Sequence, residues 1–346
     1  MERYYGVQYL RGLAAVLVIV YHSMVMSVVA PYFSHPVGEF GVDIFFVISG
    51  FVMWVTTEGK GKSPLGFWRS RVLRVVPLYW VFTLMLVAAA LLLPALFFNS
   101  RGLDVGFVLK SLLFIPARNP DVGDITPVYT IGWTLVYEMF FYLVFGFCLL
   151  VKDPRQRFFL VLAVFAGLAC CGALFNFADP LLFTYTQPIM LEFVAGVALG
   201  YFRGRLPKLN LSMGGLLVVS SMAMLLLVDA NQATRFWIYG LPALLLVAGV
   251  VALEKTIKTQ VRSLPLFFGE VSYSLYLSHP ISQRIWYVLF VWLFGQILNE
   301  QLALYYFAGS VTVGILGGVV CYYVLEKPLA RLTRPRSPLA QPANAL

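Results

Sequence analysis

The chain has 346 residues, 60% of them apolar and 12% charged, where soluble globular domains carry about 45–50% and about 25%. That balance leaves too little polar surface to enclose a core of this size in water and excludes a wholly water-soluble protein. The net charge of +9 would suit a nucleic-acid or membrane-surface binder, but where the cations lie decides otherwise.

In chain order, apolar stretches fall at about 7–30, 40–57, 73–98, 132–151, 158–176, 183–202, 211–229, 236–253, 267–294 and 303–325. A helix of about 20 such residues crosses roughly 30 Å of hydrocarbon. Open sheet edges cannot sit in lipid, and the alternating segments of an outer-membrane barrel are absent, so the stretches are predicted as helices. Residues 12–30 resemble a signal-peptide core. The length of the run and His22 within it predict a retained helix instead. The expected fold is all-α: a polytopic integral membrane bundle of about ten spans.

Lys and Arg sit in alternate loops, as the positive-inside rule requires. One side carries Lys60, Lys62, Arg69, Arg71 and Arg74, then Lys152, Arg155 and Arg157, then Arg203, Arg205 and Lys208, then Lys255, Lys258 and Arg262, and finally Lys327, Arg331, Arg334 and Arg336. The intervening loops hold only Arg101, Lys110, Arg118 and Arg235. Both termini are therefore expected in the cytoplasm, and no nucleic-acid partner is needed to explain the charge. Residues 1–328 are read as one membrane domain and 329–346 as a disordered cytoplasmic tail. Between spans, 105–115 is apolar but too short to cross, so it is expected to lie in the interface or re-enter. Cys148, Cys170, Cys171 and Cys321 fall inside spans without metal-ligand spacing, so they are read as small apolar filler and no metal is expected.

An ionisable group in the bilayer costs about 2.5–3.5 kcal/mol on insertion scales and is a functional candidate by default. Arg11, His22, Asp43, Glu138, Glu192, His279 and Arg284 qualify. Arg11 and His22 share one face of the first helix, roughly 16 Å apart along its axis. Asp43 and Glu138 lie at a depth similar to that of His22, so the three are expected to meet in the outer third of the membrane. A His beside a carboxylate is equipped to take a proton from a hydroxyl near neutral pH. Gly50, two turns beyond Asp43, would admit close helix packing. Ser272, Tyr276, His279 and Gln283 form a polar stripe that faces protein or water, with interhelical hydrogen bonding the expected role. Glu192 needs a partner that the sequence does not name. Arg69, Arg71 and Arg74, beside Lys60 and Lys62, hold the loop inside; forked guanidinium groups also suit the phosphates of a polyanionic cofactor.

Taken in order, Arg11 with ten residues before His22, FGVDIFFVISGF at 40–51, Arg71-x-x-Arg74 leading to VVPLYW, WTLVYEMFFY at 133–142, SYSLYLSHP at 272–280 and YYVLEKP at 322–328 resemble acyltransferase family 3 of the membrane O-acyltransferases, and especially its exopolysaccharide-acetylating branch. The resemblance implies an acyl donor, acetyl-coenzyme A or another acyl-coenzyme A, on the cytoplasmic side of a bacterial inner membrane. It also implies a carbohydrate acceptor, an exported or surface polysaccharide or its lipid-linked precursor. It makes His22 the catalytic residue, Arg11 its support, and Arg71 and Arg74 the donor-binding motif. Many relatives have paired arginines where this chain has Ser70 and Arg71, which brings Arg69 in as a substitute. Asp43 or Glu138 would hold the imidazolium or place the acceptor. The bilayer and polysaccharide-biosynthesis or export proteins complete the expected partners. The rival reading is a proton-coupled transporter, which intramembrane carboxylates, His and Arg also build. The two halves show no paired Gly/Pro-broken helices in its favour.

Overall fold

Hydrocarbon offers a backbone amide no partner, so a chain this apolar must satisfy its amides within helices. The computed structural model describes residues 4–26, 29–33, 35–92, 104–205, 210–227, 234–259, 261–295 and 299–333. Among them there is no β-strand, only an isolated bridge between Arg118 and Ile125. Arg101, Lys208, Arg334, Arg336 and most of the expected tail lie outside the described residues.

The helices are α1 Tyr5–Met24, α2 Gly41–Thr57, α3 Pro64–Leu92, α4 Val105–Leu112, α5 Trp133–Cys148, α6 Pro154–Leu174, α7 Pro180–Tyr185, α8 Met190–Phe202, α9 Leu211–Leu227, α10 Leu241–Ala252, α11 Glu254–Thr259, α12 Ser263–Phe294, α13 Glu300–Cys321 and α14 Lys327–Thr333. Single turns of π-helix, Phe236–Gly240 and Tyr322–Glu326, lead into α10 and α14. Among the described residues, six helical stretches are long and apolar enough to cross a membrane: Tyr5–Met24, Pro64–Leu92, Thr130–Cys148, Pro154–Leu174, Pro180–Arg205 and Glu300–Leu332. Gly41–Thr57, Leu211–Leu227 and Phe236–Ala252 are shorter apolar helices. α12 has the length, with Glu270, His279, Gln283 and Arg284 along it. The helix of α14 continues through Thr333, into the segment expected to be tail.

Local chemistry sets several helix starts. Asp153 and Asp179 each precede a proline, whose missing N–H and fixed φ suit the first helical position. The Asp153 carboxylate accepts from Gln156 N at 2.8 Å, and that of Asp179 from Leu181 N and Leu182 N at 3.0 Å each. The N-terminus of α1 is closed from a distance: the buried Glu254 carboxylate accepts from Tyr5 N at 2.6 Å and Gly6 N at 2.9 Å. The segment 105–115, expected at the interface, forms α4 and folds back on α3. There Tyr79 donates to Ser111 O at 3.0 Å and the Trp80 indole to Leu112 O at 2.9 Å.

Lipid supplies no hydrophobic drive between helices, so close contact and interhelical hydrogen bonds must hold them. The tightest pairs are α12 with α13, α2 with α8, and α1 with α12. α1 and α12 run the same way: Gly269 packs on Gln8, Arg11 meets Ser272 and Ile19 meets Gln283. α2 and α8 are likewise parallel, with Phe46 stacked on Phe193 at 4.4 Å and Gly200 under Trp54. Here two glycines interlock. A Cβ on Gly50 would lie 1.9 Å from the Phe193 carbonyl oxygen, and one on Gly196 2.0 Å from that of Val47. Gly50→Ala is thus expected to drive the backbones apart at a cost of about 1–3 kcal/mol and to lower the melting temperature in detergent. Gly167→Ala, where nothing lies within 4 Å, serves as control and should leave it unchanged.

Candidate active site

Between α1, α2, α3, α5 and α12 lies a cavity of about 150 Å³. Arg11, Arg71, Arg74 and Glu138 all line it, although they come from three different helices. Arg71 and Arg74 are one turn apart on α3, and Arg11 reaches in from the neighbouring wall. Arg69 is exposed and lines no part of the cavity, so the arginines assembled here are Arg11, Arg71 and Arg74.

Each charge is positioned by the helix beside it. The Arg11 guanidinium donates to Gln8 Oε1 at 3.2 Å and Ser272 Oγ at 3.0 Å. Glu138 Oε1 accepts from Tyr142 at 2.5 Å and from Ser49 at 3.0 Å, while Oε2 has no hydrogen-bond partner among the described residues. Glu326 and, more weakly, Glu138 offset part of the Arg11 charge. Among the described residues the α3 arginines have no comparable carboxylate: Arg71 donates only to Ser70 Oγ, at 3.3 Å. Lys62, in the loop before α3, shows the surplus of positive charge. Burial, with Arg71 and Lys60 close by, holds its ammonium below the usual lysine range.

The cavity extends along α2 from Met53 to Val42, about 16 Å at 1.5 Å per residue. At its far end stands Tyr276. Its hydroxyl donates to Ile131 O at 2.9 Å and lies 2.6 Å from Thr134 Oγ1. Behind that ring is His279 at 6.1 Å between centroids, and against His279 is His22 at 4.9 Å. His22 itself does not line the cavity. Its Nδ1 lies 2.8 Å from Val18 O. A carbonyl only accepts, so Nδ1 carries the proton and the neutral ring keeps its lone pair on Nε2. His279 is fully buried, with Nδ1 on Leu275 O at 3.2 Å and Nε2 without a partner among the described residues. The polar stripe on α12 thus serves two ends. Ser272 and Tyr276 reach the cavity, while Gln283 holds α1 through Ile19 O at 3.0 Å and Ser23 Oγ at 2.7 Å.

The expected gathering of His22, Asp43 and Glu138 is not what the helices produce. Asp43 is fully buried and belongs to Arg235, which donates from Nε to Oδ1 at 2.9 Å and from a terminal nitrogen to Oδ2 at 2.7 Å. The same guanidinium bonds Glu39 and lies near the rings of Trp133 and Tyr239. Glu192, also fully buried, lies near the Asp43 carboxyl, and both its oxygens are without a hydrogen-bond partner among the described residues. Arg235 had read only as a loop cation, and it ties the start of α2 to the entry to α10. Arg235→Leu leaves buried carboxyls without their cation and is expected to cost about 3–5 kcal/mol. Adding Asp43→Leu should recover most of that loss, read as melting temperature in detergent.

Two participants lie inside quoted motifs but were not singled out from them. Glu326, on the second π turn, accepts from Ser274 at 2.5 Å and lies near Arg11 and Tyr273. It stood at the end of an apolar run, where a carboxylate reads as a loop residue. Ser49 is an ordinary small residue until Glu138 is placed opposite it. Arg284, by contrast, lies over the Tyr287 ring at 4.9 Å, away from the cavity.

Comparison with known proteins agrees with this layout. The profile of acyltransferase family 3, described as "Acyltransferase domain", matches residues 4–323. The chain is 38% identical over 310 residues to "Exopolysaccharide production protein ExoZ" of Rhizobium meliloti (strain 1021), covering 87% of this chain and 92% of that protein. It is 28% identical over 343 residues to "Acyltransferase MdmB" of Streptomyces mycarofaciens, covering 88% and 84%. No solved structure matches. With apolar helices throughout, a charged cavity between them and a family profile spanning nearly its full length, the chain belongs to acyltransferase family 3.

Proposed function

We propose that the chain transfers a short acyl group, acetyl in the simplest case, from acyl-coenzyme A to a hydroxyl of an exported polysaccharide or its lipid-linked precursor. The observation that carries this reading is the convergence of Arg11, Arg71 and Arg74 on one elongated cavity, with Tyr276 at its far end and His279, then His22, beyond that ring. Guanidinium forks match phosphate oxygens, and among the described residues Arg71 and Arg74 have no carboxylate partner to displace. A narrow channel of about 16 Å suits an extended pantetheine arm. The name of the ExoZ relative supports a polysaccharide acceptor.

The donor enters from the cytoplasmic face and the acceptor from outside, across a bacterial inner membrane spanned by about ten helices. The parallel pairs α1 with α12 and α2 with α8 support that count, because each pair crosses in the same sense. His22 Nε2 takes the proton of the acceptor hydroxyl, and the oxygen attacks the thioester carbonyl carbon. The C–S bond breaks, and the imidazolium returns its proton to the departing thiolate, so charge balances at every stage. Glu138 holds Tyr142 and Ser49 along the cavity wall and offers Oε2 to the arm or to Arg11.

Two sets of variants test the assignment with purified protein in nanodiscs. His22→Ala is expected to lower glycan acylation by about 10²–10⁴-fold while acetyl-coenzyme A still binds. Arg71→Ala and Arg74→Ala should each weaken that binding by about 10–100-fold, the worth of a charge-assisted hydrogen bond. Full acylation by His22→Ala, or solute movement in vesicles without any acyl-coenzyme A turnover, would refute the reading in favour of a different catalyst or of a transporter.

A further inference from the structure

The far end of the cavity is bounded by three helices. Val42 and Phe45 of α2, Thr134 and Leu135 of α5, and Tyr276 of α12 line it. Val42, Thr134, Leu135 and Tyr276 are all buried. The Tyr276 ring is fixed on several sides. Its hydroxyl proton goes to Ile131 O, so Thr134 donates to the Tyr276 oxygen, and Phe45 meets the ring edge-on at 6.1 Å between centroids. His279 stands directly behind it. A ring held by two hydrogen bonds and flanked by Phe45 and His279 yields little to a ligand pressing against it.

We propose that Tyr276 determines acyl-chain length: the cavity admits short acyl groups and disfavours longer ones at this ring. The proposal rests on the reading of the cavity as the acyl-coenzyme A site. The physical reason is register. A short acyl group stopped by the ring leaves its thioester carbonyl at the end of the cavity nearest the histidine pair. Each further methylene must either displace the ring from its two hydrogen bonds or push the carbonyl back toward the arginines. One methylene against a fixed apolar wall changes discrimination by about 10–200-fold. The hydroxyl supplies rigidity and the ring supplies the stop, so the two are separable by substitution.

The experiment measures binding of acetyl-, butyryl- and hexanoyl-coenzyme A to the full chain in nanodiscs, with turnover recorded alongside. Binding reports on the wall whether or not a variant remains active. The wild type is expected to bind acetyl-coenzyme A at least about tenfold more tightly than the butyryl form. Tyr276→Ala should erase or invert that ratio, and Tyr276→Phe, which keeps the ring, should retain a preference for acetyl. Should Tyr276→Ala be poorly folded, Val42→Ala relaxes the same wall from α2 and should shift the ratio in the same direction. A wild type that binds acetyl-coenzyme A, with length dependence unchanged in both Tyr276→Ala and Val42→Ala, overturns the role of Tyr276 and leaves the donor site standing. A wild type that binds no acyl-coenzyme A overturns both.

Discussion

A guanidinium or carboxylate surrounded by hydrocarbon is tolerated only with a partner, a cavity or a route to water. That constraint arranges this protein. The charges inside the apolar bundle fall into two groups with opposite character. Asp43, Glu192, Glu39 and Arg235 form a compact cluster in which the cation is saturated by carboxylates. Arg11, Arg71, Arg74 and Glu138 surround a cavity instead, with more positive than negative charge. The first group can hold helices; the second has charge left over for a ligand. Whether the cations find carboxylate partners, rather than residue type, separates a structural cluster from a site.

The helices are bound to one another by devices suited to a solvent that does not drive them together. Gly50 and Gly196 let the backbones of α2 and α8 interlock, and Gln283, Ser23 and Ser310 make a buried hydrogen-bonded link from α12 to α1 and α13. These contacts fix α2 and α12, which carry Ser49, Phe45, Ser272 and Tyr276 along the cavity. Precision at the site is thus inherited from packing outside it. The two π turns sit where a carboxylate must be accommodated. One has Gly240 pressed against the Glu192 side chain, and the other ends on Glu326, bonded to Ser274. Local widening of a helix at functional positions is a recurrent use of this geometry.

Hydropathy made the apolar helices legible, since each expected stretch contains one, and the spacing of Arg11 and His22 placed them correctly on one helix. What hydropathy does not encode is which helices are neighbours. Asp43 and Arg235 are 192 residues apart, and nothing local to either announces the pair, so Asp43 was expected beside His22. The convergence of Arg71 and Arg74 with Arg11 and Glu138 was hidden for the same reason, because it depends on how α3, α1 and α5 pack. Gly50 was readable as a close-approach residue because its lack of a side chain has a local meaning. Tyr276 was readable only as polar, since its position at the end of a cavity exists only in three dimensions.

The central claim is that one elongated cavity joins the arginines of α1 and α3 to the ring before the histidine pair and that acyl-coenzyme A occupies it. A cryo-electron-microscopy map of the protein in nanodiscs, bound to a thioether analogue of acetyl-coenzyme A that cannot transfer, tests this most directly. The account predicts phosphate density against Arg71 and Arg74 and the acyl end against Tyr276, within reach of His22 and His279. Density for the analogue elsewhere on the protein, with this cavity empty, would contradict it.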